Sequence, residues 1–269
     1  MRICLAISVA IMGIGVANGQ CRVPGSESAA LAGISVVLEN PWAAAGNPAG
    51  LAGYGKLSVG TGLEQLFLLK GLGNYALVVT IPSDNGTFGT CMEYEGYKTF
   101  SKETFILSYG RKFNQSFSAG AGLFYILQKA GDRYKSLHQV SYSLGFKYDI
   151  SDKFCVAFSA FNPFNIYYKS ASYASLPAVF KLGLGYRPSS SLALMTEMEK
   201  DLDYPVAVRI GCEFNAGDRF FIRGGLKFLP AEFSLGAGFL LNRLLIGIAA
   251  AYHQYLGCTP VTSLQYLIK

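Results

Sequence analysis

Between residues 137 and 150 every second side chain is large and mostly apolar. His138, Val140, Tyr142, Leu144, Phe146, Tyr148 and Ile150 share one parity, and Gln139, Ser141, Ser143, Gly145, Lys147 and Asp149 share the other. In an extended chain successive side chains point to opposite faces, so this is a strand with one apolar and one polar face. The same pattern returns along the chain. Tyr75, Leu77, Val79 and Ile81, then Phe180, Leu182, Leu184 and Tyr186, then Leu244, Ile246, Ile248 and Tyr252 form apolar faces. The opposite faces hold Ser118, Gly120 and Gly122, or Lys181, Gly183, Gly185 and Arg187. A soluble sheet with so much apolar surface needs a covering layer, and no amphipathic helix is available to supply one. A strand set that is apolar outward and polar inward is the pattern of a closed barrel in lipid. The expectation is an all-β, antiparallel transmembrane barrel.

The strands are expected at 55–62, 72–81, 87–98, 102–111, 115–128, 137–149, 153–161, 176–187, 191–200, 204–214, 218–228, 232–241, 243–253 and 260–269, about fourteen in all. Link lengths support the count independently. The link after each even-numbered strand is short and turn-like, as at Ser151-Asp152 and Asn242-Arg243, whereas 63–71, 129–136, 162–175 and 254–259 are longer. Membrane barrels have short periplasmic turns and longer external loops. The parity therefore places both chain ends in the periplasm of an outer membrane. Residues 235–252 are nearly long enough to cross as a helix, but Asn242-Arg243 at their centre and the period of two on both sides make them a hairpin.

Ahead of the barrel, residues 1–19 read as an export signal, with Arg2, an apolar run from Ile3 to Val16, and Ala17-Asn18-Gly19 at its end. The domain reading is 1–19 signal peptide, 20–53 plug and 54–269 barrel. A bulky Gln20 before Cys21 is unfavourable for lipoprotein processing. The cysteines have no paired spacing and read as free thiols, and His138 and His253 have no ligand-spaced partners, so neither a metal nor another cofactor is expected. The net charge of +6 is modest and suits anionic lipid or a partner better than nucleic acid.

Charged residues on inward positions are candidate lumen groups: Glu93, Glu95, Lys181, Glu197, Glu199, Arg209, Glu213 and Arg223. They serve either as cross-strand pairs that rigidify the interior or as the wall of a polar conduit. No nucleophile stands beside the carboxylates, no Ser-His-Asp order appears, and no enzyme is expected. The link 162–175 carries Phe164, Tyr167, Tyr168 and Tyr173, which are candidates for partner binding or for an interfacial aromatic girdle.

The segment 24–52 contains Asn40, Trp42 and then Asn47-Pro48-Ala49-Gly50-Leu51-Ala52. It resembles the N-terminus of FadL-like outer-membrane barrels, and most closely the PorV branch of Bacteroidota. Weaker points of likeness are Gly183-Leu184-Gly185-Tyr186-Arg187-Pro188 and Ile222-Arg223-Gly224-Gly225. The resemblance implies a fourteen-stranded barrel with its N-terminal segment folded into the lumen as a hatch, which places Asn47, Pro48, Ala49 and Gly50 inside. The PorV likeness implies a non-enzymatic subunit of a protein-secretion or surface-assembly complex, of type IX kind, bound to a larger translocon. The FadL likeness implies the alternative, a passive channel for small hydrophobic molecules gated by the hatch. The short links leave little surface for substrate capture and favour the subunit reading.

Overall fold

Alternation becomes geometry in fourteen antiparallel strands. In the computed structural model, which describes residues 23–69, 71–97, 100–131, 136–164, 176–217 and 219–268, these are β1 (Ser58–Gln65), β2 (Gly73–Ser83), β3 (Gly86–Tyr97), β4 (Phe100–Lys112), β5 (Phe117–Ala130), β6 (Leu137–Ser151) and β7 (Phe154–Phe161). The second half is β8 (Val179–Ser189), β9 (Leu192–Asp201), β10 (Ala207–Asn215), β11 (Phe220–Phe228), β12 (Glu232–Leu241), β13 (Leu244–His253) and β14 (Gly257–Leu267). Each pairs with its sequence neighbours, and β1 closes on β14 from Ser58 opposite Leu267 to Glu64 opposite Val261. Closure leaves no edge, so backbone groups are satisfied within the sheet, as a lipid environment demands.

The outward faces carry exposed Leu107 (57%), Ile150 (55%), Leu235 (53%) and Ile248 (58%), a belt that only lipid covers favourably. Residues 1–22, the expected export signal among them, lie outside the described residues. The six links after even-numbered strands are short, from residues 84–85 between β2 and β3 to 242–243 between β12 and β13. The start of β1 and the end of β14 sit on that same rim.

Several boundaries differ from expectation, among them the starts of β1, β8, β10 and β14, each by three residues. The first strand begins at Ser58 rather than residue 55, because Ala49–Tyr54 forms a short helix that ends on Gly55 in the left-handed region, φ 55°. The last begins at Gly257, so its preceding link shrinks to residues 254–256. The four described cysteines, Cys91, Cys155, Cys212 and Cys258, are free thiols.

Residues 23–57 fill the lumen. Two short helices, α1 (Ser26–Ala30) and α2 (Ala49–Tyr54), flank a 3-10 turn at Pro41–Ala44. α1 lies against β12 and β13, and α2 against β4 and β5. Inward glycines make the track. A Cβ on Gly120 would stand 2.5 Å from the Pro48 carbonyl carbon, and one on Gly236 would stand 2.6 Å from the Ala30 Cβ. The backbone of the inserted segment therefore rests directly on the sheet.

Candidate functional site

The inserted segment is held by charges from the wall. β8, β9 and β10 are adjacent, and their register sets Lys181 opposite Glu199 and Glu197 opposite Arg209. Arg209 donates from Nη1 to Glu197 Oε1 at 3.0 Å and from Nη1 and Nη2 to the two Glu199 oxygens at 3.1 Å each. Lys181 Nζ lies 3.3 Å from Glu199 and donates to Ser35 Oγ at 3.1 Å. The remaining oxygen of Glu197 accepts the backbone N–H of Ser35 at 2.7 Å and of Val36 at 2.8 Å. Two acids and two bases thus make a neutral, buried clamp on residues 35–36. Such a cluster adds little net stability but fixes where the segment sits, because removing one member strands the others.

Further contacts run along the segment. Arg223 Nε donates to Glu213 at 2.6 Å, its Nη2 lies 3.8 Å from Glu27 of α1, and Asn40 donates to Glu27 at 3.0 Å. Lys147 on β6 bonds Glu39 and lies 3.0 Å from Asp149. Asn47 donates to the carbonyls of Val36 at 2.7 Å and Phe146 at 3.4 Å, and its Oδ1 accepts the Ala49 N–H at 3.1 Å. The motif therefore folds the segment upon itself and also ties it to β6. Ser26 and Ser263 hydroxyls share a hydrogen bond of 2.6 Å, and Ser108 donates to the Ala44 carbonyl at 2.7 Å.

Of the expected lumen charges, Lys181, Glu197, Glu199 and Arg209 form the clamp, and Glu213 and Arg223 a second contact with the segment. Glu93 and Glu95 do not join them: both lie on β3, with Glu95 3.2 Å from Lys102. Asn47, Pro48, Ala49 and Gly50 all lie buried inside the barrel. Phe164 is 81% exposed, its ring 6.4 Å from that of Tyr142, while Tyr167, Tyr168 and Tyr173 lie outside the described residues. Sequence reasoning missed Ser35, Glu27 and Glu39 as partners. Lys147 carried a usable signal, since its neighbours across the sheet, Ser118 and Ala157, bear no charge.

The lumen also departs from the wholly polar interior the sequence suggested. Ala76 and Val78 on β2, Cys91 on β3, Ile106 on β4, and Phe124 and Ile126 on β5 face inward and are buried. They pack with Trp42, Ala43, Ala44 and Leu51 of the inserted segment. One wall of the lumen is apolar and the facing wall is charged. Above the segment, toward the long links, a cavity of about 70 Å³ is lined by Glu64, Glu93, Glu199, Lys227 and Glu232 among others. Below it lies one of about 40 Å³ beside Lys147, Cys155 and Tyr186. Both are smaller than the roughly 150 Å³ that holds a benzene. Neither would hold such a molecule in this conformation.

Solved structures similar to this chain include toluene transporters. The Ralstonia pickettii toluene transporter TbuX superimposes with a TM-score of 0.73 at 10% identity, covering 93% of this chain and 100% of that one. The chain has the fold of that transporter. A Pseudomonas aeruginosa FadL homologue gives 0.65 at 14% identity over 91% of this chain and 98% of its own. The Pseudomonas putida toluene transporter TodX gives 0.65 at 12% over 90% and 96%. The FadL-type fold is thus shared at a level where sequence identity no longer carries it. No family profile and no curated protein matches the sequence. The likeness is to hydrocarbon transporters and lends nothing to the PorV branch of the resemblance.

Proposed function

We propose that the protein is a passive outer-membrane channel for small apolar molecules, with residues 23–57 as its hatch. The observation that carries this reading is the apolar wall from β2 to β5, which is sealed by Trp42, Ala43, Ala44 and Leu51 of the hatch itself. Displacing the hatch would bare a band of Val78, Cys91, Ile106 and Phe124, opposite one another on neighbouring strands, with Ile126 beside it, a surface suited to an aromatic or aliphatic solute. The printed functions of the structural neighbours, toluene transport and monoaromatic hydrocarbon passage, support the same reading. The alternative from the sequence therefore replaces the secretion-subunit reading, for which no described surface speaks. Residues 1–19 act as the export signal. The short turns, the start of β1 and the end of β14 face the periplasm, whereas Val23 and Pro24 lie in the lumen beside the cavity on the long-link side, and no step of the function is enzymatic.

The test uses intact cells with a lipopolysaccharide surface, because apolar solutes cross a plain phospholipid bilayer unaided. Expression of the protein is expected to speed uptake of an apolar fluorescent naphthylamine, and weakening the Glu197 clamp to speed it further. Uptake equal to that of cells without the protein, with either form correctly inserted, would overturn the proposal.

A further inference from the structure

We infer that the short-turn rim is a binding belt for the headgroups of anionic phospholipids. Five of the six short turns carry an exposed base at or beside them: Arg111 and Lys112 at the end of β4, Lys153 ahead of β7, Arg187 at the end of β8, Arg219 ahead of β11 and Arg243 ahead of β13. None of these forms an ion pair with a described residue. Arg243 donates to the Ile268 carbonyl at 3.2 Å, which leaves its charge uncompensated. The opposite rim is built differently: Lys102 is held by Glu95 at 3.2 Å and Lys129 by Glu103 at 2.8 Å. Acids on the short-turn rim are fewer. Asp84 and Asp152 are exposed, Asp149 is turned to Lys147, and Asp218 lies outside the described residues.

Position identifies the occupant. The bases stand where the apolar outward faces end, next to exposed Tyr186 and Leu241, and the Arg111 guanidinium lies 5.5 Å above the Phe113 ring. An aromatic ring beside a long cationic side chain at the edge of an apolar belt marks headgroup depth. Successive turns lie two strands apart, about 10 Å around the rim. Together with exposed Lys56 ahead of β1, the charge is spread around the rim, broken at the β2–β3 turn that carries Asp84, instead of forming a patch on one side. A protein partner would meet one sector of such a ring, whereas a leaflet of anionic lipid meets all of it. The periplasm-facing orientation proposed above makes that leaflet a phospholipid one, and the inference rests on it.

The experiment is native mass spectrometry of the full chain in non-ionic detergent with equal phosphatidylglycerol and phosphatidylethanolamine. Retained phosphatidylglycerol is expected to exceed phosphatidylethanolamine by roughly fivefold per engaged base at low salt. The triple variant Arg187→Gln/Arg219→Gln/Arg243→Gln brings the ratio toward one, and Lys102→Gln/Lys129→Gln leaves it unchanged. Equal retention of the two lipids by the unaltered protein, or an equal loss in the opposite-rim variant, would overturn the inference. None of these bases touches the hatch, so a failure here is separable from a failure of the channel reading, which uptake reports.

Discussion

Replacing Glu197 with alanine should release the hatch while leaving the barrel intact. The carboxylate is wholly buried and serves four groups at once: the Ser35 and Val36 N–H donors, Arg209 at 3.0 Å, and Lys181 at 3.9 Å. Stripping one partner from a buried ion pair costs about 3–5 kcal/mol. Leaving a buried donor without an acceptor costs about 1–3 kcal/mol, and here two hatch donors are affected. These overlap, since all originate in the same two oxygens, and water from the adjacent cavity relieves part of the loss. A net of about 4 kcal/mol is the reasonable figure, close to a thousandfold in the ratio of seated to released hatch. The strands themselves lose no ladder bond, so the heat-dependent gel shift of a closed barrel should persist. The assay is built into the chain: its one tryptophan, Trp42, lies in the hatch and is 3% exposed. In the Glu197→Ala protein its emission should move to longer wavelength and become open to quenching by acrylamide. Glu197→Gln keeps one acceptor oxygen but turns an amide N–H₂ toward Arg209, and should fall between the two. An unchanged Trp42 spectrum in folded Glu197→Ala protein would refute the clamp as the element that holds the hatch.

Gly120→Ala places a methyl group against the Pro48 carbonyl carbon, 2.5 Å away, and should unseat the hatch by about 1–3 kcal/mol, read again from Trp42. Ser26 and Ser263, with hydroxyls 2.6 Å apart, should accept a disulfide when both are changed to cysteine. Oxidation should then block naphthylamine uptake and reduction restore it, while persistence of uptake in the cross-linked protein would exclude movement of that part of the hatch. Phe124→Gln, in the middle of the apolar wall, should lower uptake of the naphthylamine several-fold in protein that keeps the gel shift of a closed barrel, and unchanged uptake would exclude the wall as the path.

The barrel was legible because each strand announces its two faces independently. Val140, Tyr142, Leu144 and Phe146 against Gln139, Ser141, Ser143 and Gly145 require no knowledge of any other strand. The strand count rests on this local signal and on turn chemistry, and both survive in the structure. Position within the hatch was less accessible. Residues 49–54 show no two-turn periodicity, so the helix that displaces the start of β1 to Ser58 left no trace beyond Gly55. The apolar wall was missed for a different reason. In Leu123-Phe124-Tyr125-Ile126-Leu127 both parities are apolar, and an expectation of outward Leu123 and Tyr125 used up the pattern. Such an unbroken run is what a strand covered on both faces produces, here by lipid on one side and the hatch on the other. The clamp was half visible. Lys181, Glu197, Glu199 and Arg209 could be placed on inward parities, but their joint object, the backbone at Ser35 and Val36, depends on a contact across 160-odd residues that no spacing encodes.

The route of the hatch also constrains how the protein is assembled. Residues 23–57 touch β4 through Ala44, β6 through Asn47, β9 through Ser35 and Val36, and β14 through Ser26. These strands are spread around the circumference, and the seam between β1 and β14 joins the beginning of the sheet to its end. Once that seam is zipped, the open ends of the barrel are the segment's only way in, and its tether to β1 lies on the short-turn rim. Seating it before closure instead lets each wall residue that touches it align the next arc of sheet, so the element proposed to open the passage would also be the mould on which the passage is cast.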